Sequence, residues 1–165
     1  MPSADLGGSV KSRLIASTIV GAAIVFATTG CTFITPQSTE IEYSASDGVN
    51  VPLEGQVAIR NAQIVATEDG AEGNFIAAFV NESDESATVN MEFGEGSSVI
   101  RQTVRIPANS SVSLGVDGEE PLLLEGLDTA PGEDIPGYFE VGDASSLISV
   151  PVLDGTLPYL EPYVP

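Results

Sequence analysis

The chain has 165 residues, room for one domain of ordinary size once any targeting segment is removed. With 42% hydrophobic and 18% charged residues, alongside 17 Gly and 11 Pro, it can pack a core; disordered and collagen-like chains are excluded. Twenty-four acids face five bases with no His and no Trp, a formal −19, so phosphate backbones are repelled and no nucleic-acid partner is expected.

Residues 1–30 read as an export signal. Lys11 and Arg13 supply a basic start, and the 14 residues Leu14 to Ala27 (LIASTIVGAAIVFA) form a short apolar run. At about 1.5 Å per residue that run reaches about 21 Å, short of a hydrocarbon core of about 30 Å. Thr28-Thr29-Gly30-Cys31 then resembles the lipobox of bacterial lipoproteins, with Thr28 standing where Leu is usual. The resemblance implies a diacylglyceryl thioether on Cys31 and signal cleavage between Gly30 and Cys31. Two acyl chains anchor stably where one does not. The expected partner is therefore the membrane, through a lipid anchor, and the expected location its extracytoplasmic face.

Cleavage removes Asp5, Lys11 and Arg13, leaving 23 acids against three arginines, about −20, and no Lys. Cys31 is the only cysteine, so no disulfide forms and the domain must be held by burial. Residues 31–56, rich in Thr, Ser, Gln, Glu, Pro and Gly, read as the lipidated Cys and a flexible tether with one extended stretch at Ile41–Ser46.

Residues 57–165 read as a β-domain. Candidate strands are Val57–Ala66, Asn74–Val80, Thr88–Phe93, Val99–Ile106, Ser111–Val116, Leu122–Glu125, Tyr138–Val141 and Leu147–Val152, separated by turn residues. In Thr88–Phe93, Val89, Met91 and Phe93 alternate with Thr88, Asn90 and Glu92, giving one dry and one wet face. In Val99–Ile106, Arg101, Thr103 and Arg105 point away from Ile100, Val104 and Ile106. Phe75 to Val80 is apolar on both faces, as suits a central strand covered on both sides. No stretch has an amphipathic helical period. The expected fold class is all-β, an immunoglobulin- or cupredoxin-like antiparallel β-sandwich.

The chemistry is bounded mostly by exclusion. Without His or mature Lys, no Ser-His-Asp, Cys-His or Ser-Lys arrangement can be built. The acids scatter over turns such as Glu82, Asp84, Glu85, Glu119, Glu120, Glu133 and Asp134, which read as solvated faces. Glu68–Glu72 and Asn81–Glu85 offer oxygens for calcium but lack EF-hand spacing, and they read as solubilising turns. Gly94-Glu95-Gly96 lacks the Lys and helix of a phosphate loop. No cofactor and no metal site is expected. Arg101 and Arg105 are the candidate contacts for a carboxylate-bearing ligand or partner, though pairing with acids on adjacent strands is the commoner use of such residues; Arg60 reads the same way.

Val57–Val65, Pro151–Pro158 and Tyr43–Val49 resemble a group of uncharacterised actinobacterial lipoproteins, and more distantly the periplasmic copper-chaperone β-sandwiches of the PCuAC type. Copper(I) in the latter is held by Met and His, soft and borderline ligands. Here His is absent, and Met91, the only mature Met, alternates in phase with core residues. The fold is implied by the resemblance; the metal site is not. The resulting expectation is a non-catalytic binding or envelope-organising lipoprotein whose ligand is a small molecule or an envelope protein. A copper-related accessory protein without its own ligands, and a carboxylate-based hydrolase, are the alternatives.

The anchor gives a first prediction. The wild-type chain should fractionate with membranes and incorporate labelled palmitate, and Cys31→Ala should lose the label. Equal labelling of the variant would remove the lipoprotein assignment.

Overall fold

Short β-branched and aromatic runs, broken by Gly, Asp and Pro, become strands in the order the sequence sets out. The computed structural model describes residues 46–96, 98–116 and 119–165. The expected signal peptide, Gly30, Cys31 and residues 31–45 of the tether lie outside the described residues. Ser44–Pro165 makes one compact unit.

The strands are β1 Val49–Val51, β2 Val57–Ala66, β3 Glu72–Asn81, β4 Ala87–Phe93, β5 Ile100–Ile106, β6 Ser110–Ser113, β7 Leu122–Glu125, β8 Asp134–Val141 and β9 Ala144–Leu153. A 3-10 turn, Glu161–Tyr163, follows near the C-terminus. Expected and observed ranges coincide for β2 and β7. β8 and β9 begin at Asp134 and Ala144 rather than at Tyr138 and Leu147, because the ladder between them runs on unbroken through Pro136-Gly137 and Ala144–Ser146.

The chain is all-β, as expected, and the strands form one mixed sheet in the order β5-β4-β8-β9-β2-β3-β6. β1 pairs with β2, while β7 shares with β6 the outer edge of β3. A purely antiparallel arrangement was expected. It fails at one place: β9 runs antiparallel to β8 and then continues parallel to β2, with Ile64 beside Val152 and Val65 beside Leu153. β9 therefore joins what would otherwise be two separate ladders.

The sheet curls until its two ends, β5 and β6–β7, nearly meet. No ladder closes them. Gln102 Nε2 instead donates to the Leu123 carbonyl at 3.1 Å, and buried Asn81 donates through Nδ2 to the Ile106 and Pro107 carbonyls. Ile100, Val104, Val112 and Leu122 stay only half-buried along this open seam.

Inside lie Phe75, Phe93 and Phe139, from β3, β4 and β8. Phe75 and Phe93 have ring centroids 4.9 Å apart, and Phe93 meets Phe139 edge-on at 5.9 Å. Met91 is 1% exposed in the same cluster, as its alternation required. β3 is covered on both faces: Phe75, Ala77 and Phe79 face this core, while Ile76 packs with Val65 and Leu160 on the other side. The second cover is the C-terminal segment, fixed by Asn74 Nδ2 donating to the Tyr163 carbonyl at 2.9 Å.

Residues 46–56, which composition placed in the tether, carry β1. Asn61 adopts φ 53° at a bulge in β2, and its Oδ1 accepts the Gly48 N–H at 2.9 Å. The bulge changes the phase of β2, so that Ile59 before it and Ala62 and Ile64 after it all face the core. A Cβ on Gly48 would lie 2.6 Å from the Asn61 carbonyl carbon and 2.8 Å from the Ala62 oxygen. Gly48→Ala should therefore destabilise the domain by about 1–3 kcal/mol in a denaturant titration. An unchanged midpoint would show that the segment does not dock.

Candidate functional site

The alternation that dries one face of β4, β5 and β8 leaves their other face wet, and pairing across strands aligns those polar residues in rows. One row runs Arg101, Glu92, Tyr138, Leu147 across β5, β4, β8 and β9; the next runs Thr103, Asn90, Glu140, Ser145. Arg101 Nε donates to Glu92 Oε1 at 2.8 Å. Thr103 Oγ1 donates to Asn90 Oδ1 at 3.3 Å, and Asn90 Nδ2 to Glu140 Oε1 at 3.5 Å. Tyr138 donates its hydroxyl proton to Glu140 Oε2 at 3.3 Å. Six of these eight side chains are thus hydrogen-bonded to a neighbour, while the guanidinium tip of Arg101 and the 70% exposed Leu147 face solvent.

Two depressions meet on this face at Asn90 and Glu140. The smaller, about 280 Å³, lies between Arg101, Glu92 and Tyr138. The larger, about 620 Å³, extends past Thr88 and Ser86 to Gln56 on one side and to the Gly142-Asp143 turn on the other. Arg105 borders it, donating from Nη2 to Ser86 Oγ at 3.1 Å.

The two candidate arginines thus share one face, but they use different partners. Arg101 pairs with an acid on the adjacent strand. Arg105 opposes Thr88 and reaches Ser86, a hydroxyl rather than a carboxylate. Arg60 stands apart, exposed on β2. The sequence singled out neither Tyr138, Glu140 nor Leu147. Glu140 and Tyr138 have a usable signal, alternation with Ile135, Gly137, Phe139 and Val141 along β8, which Pro136-Gly137 obscures.

The loops weighed for calcium are locked as turns. Asp69 Oδ1 accepts Thr67 Oγ1 at 2.7 Å and the Ala71 N–H at 3.1 Å. Asn81 is a buried hub: its Nδ2 donates to the Glu85 carbonyl, and its Oδ1 accepts Ser83 Oγ and N–H. Among the described residues no three of His, Cys, Asp and Glu converge. Soft ligands for copper(I) do not come together here: the chain has no His, and Met91 is enclosed by the core.

The shifted acid–base groups lie elsewhere. Hydrogen bonds from Thr67 and the Ala71 amide lower Asp69, and those from Thr156 lower Asp154. Tyr159 is raised because its hydroxyl donates to Asp47 Oδ2 at 2.7 Å. Gln63 Oε1, buried on the face of β2 shared with Val65, has no hydrogen-bond partner among the described residues. Among those residues no helix is long and apolar enough to cross a membrane. No protein-family model matches the chain, and no curated protein is significantly similar to it.

Electrostatics yields a prediction. Arg101–Glu92 is the only ion pair among the described residues, and it is exposed, so salt has little attraction to weaken there. Repulsion among the chain's 24 acids is screened over about 30 Å at about 0.01 M salt and about 10 Å at about 0.1 M. The melting temperature should rise between those two conditions. A steady fall would mean that attraction, not repulsion, dominates.

Proposed function

We propose that this chain is a lipid-anchored protein of the extracytoplasmic membrane face whose acidic β-domain is a non-catalytic binding or envelope-organising module. In this reading the domain is an immunoglobulin- or cupredoxin-like sandwich. Its layers are the β1–β2–β3–β6–β7 and β5–β4–β8–β9 ladders, with Phe75 packed on Phe93 and Phe139 between them.

One observation carries the reading: the fixed polar face of β5, β4, β8 and β9, where Arg101 and Arg105 meet two adjoining depressions. Interior strands hold its side chains from below, which supports preorganised contact with a partner. Its acids accept hydrogen bonds from Arg101, Asn90 and Tyr138, which favours holding a ligand over exchanging protons with one.

The test is capture from native membranes by the full-length protein, followed by mass spectrometry. The wild type and Leu157→Ser, altered in the C-terminal segment, should retain the same envelope component. A variant carrying Arg101→Glu and Leu147→Glu should lose it. Equal recovery by that variant would remove the face from the function.

A further inference from the structure

We infer that the face of β4, β5, β8 and β9 is a saccharide-binding site for an uncharged, polyhydroxylated envelope glycan, seated across Asn90 and Glu140 with Tyr138 in the floor and Leu147 beside it on β9. The inference rests on the binding-module reading above and names its ligand class.

Shape comes first. Depressions of about 280 and 620 Å³ sharing Asn90 and Glu140 make a continuous trough in the size range of ligand clefts, about 300–1,000 Å³. Such clefts are usually lined by apolar side chains. This one is mixed: between apolar stretches such as Ala87, Val141 and Ala144 it presents Asn90, Thr103 and Glu140 in the middle and Gln56, Ser86 and Thr88 toward one end. A ligand that fills it must offer many donors and acceptors. Sugar hydroxyls are both at once, matching acceptor-only carboxylates and two-sided amides.

Charge then removes the alternatives. An anionic ligand would enter the field of a chain with a formal charge of −19, with Glu92, Glu140 and Asp143 at the trough itself. A hard cation needs converging carboxylates, and among the described residues none converge. A cationic peptide would meet Arg101 and Arg105 at the borders, and acids already engaged by Arg101, Asn90 and Tyr138. Under the trough β4 and β8 are paired on both sides, so a peptide lying in it would find no main-chain ladder to extend; the unpaired edge of β5 lies at the seam instead.

The apolar component fits as well. Leu147 is 70% exposed directly across the ladder from half-buried Tyr138. A pyranose ring has hydroxyls at its rim and C–H groups on its faces, so one face can rest on this pair while the rim reaches Asn90, Glu140 and the free guanidinium tip of Arg101. Because the polar side chains already hold each other in place, little rotamer freedom remains to be lost on binding.

Calorimetry and saturation-transfer NMR on the full-length protein in detergent test this. The probes are neutral hexasaccharides of glucose, mannose, galactose and N-acetylglucosamine, an oligogalacturonate, and an oligolysine. At least one neutral hexasaccharide should bind saturably, with saturation transfer to its ring C–H protons. Asn90→Ala and Leu147→Ser should each weaken it about tenfold, as expected for one lost hydrogen bond or apolar contact. Both positions are solvent-facing, and an unchanged melting temperature confirms that the variants fold. Leu157→Ser should bind like wild type. Binding of oligogalacturonate or oligolysine alone would overturn the saccharide assignment and leave a binding face for a charged partner. Binding of no probe, with the envelope component still captured through the face, would overturn the saccharide assignment while sparing the module. Neutral-sugar binding unaffected by Asn90→Ala and Leu147→Ser would place the site elsewhere.

Discussion

Three phenylalanine rings hold this domain together. Phe75 comes from the ladder that contains β2 and β3, whereas Phe93 and Phe139 come from the ladder that contains β4 and β8. Aromatic contacts of this geometry add about 0.5–1.5 kcal/mol per pair beyond the area they bury. With no disulfide available, these contacts and the aliphatic shell around them must fix one ladder against the other. Everything outside them follows from that clamp. The strands whose inner residues form it necessarily present their alternate residues outward, and on β4 and β8 those are Asn90, Glu92, Tyr138 and Glu140.

The charge is distributed to suit. Burying an unpaired carboxylate is costly, and the buried polar side chains here are the neutral amides Gln63 and Asn81. Asn81 supports two loops at once, accepting from Ser83 and donating to the consecutive Ile106 and Pro107 carbonyls where β5 enters the β5–β6 turn. A neutral amide does this without adding to an already large negative charge. It also stands at the end of the seam where the sheet fails to close, and so ties the β3–β4 and β5–β6 loops together where no backbone ladder can.

Much of this was legible because strand alternation leaves a clear trace. Val89-Met91-Phe93 and the doubly apolar Phe75–Val80 placed their residues correctly, and Arg101 and Arg105 lay on the outer face of β5 as read. What stayed hidden depends on distant partners. Val49–Val51 is too short and polar to announce a strand; it becomes one because the Asn61 bulge offers Gly48 and Asn50 specific partners. The parallel pairing of β9 with β2 joins segments some ninety residues apart, which no local pattern encodes. Pro136 sits within β8 opposite Ser149, its carbonyl accepting the Gly94 N–H, so a residue that normally breaks a ladder is tolerated here. The rows that make up the candidate site were invisible for the same reason, since each row draws one residue from each of four strands.

The two outer faces of the sheet meet different fates, and this asymmetry is the strongest structural argument for function. On β2 and β3 the outward residues Val65 and Ile76 are apolar, and the chain covers them itself with Leu160, Tyr163 and Val164. On β4, β5 and β8 the outward residues are polar, cross-linked to each other, and left open. A face that needed only to be soluble would be served by mobile charged side chains with no mutual contacts. Here the side chains are instead arranged in rows, with an exposed leucine set beside a tyrosine and a trough that Arg101 lines and Arg105 borders through Ser86. Order maintained on an uncovered surface restricts rotamers at an entropic cost, and under the proposed binding role that cost would be offset by contacts already in place for a ligand.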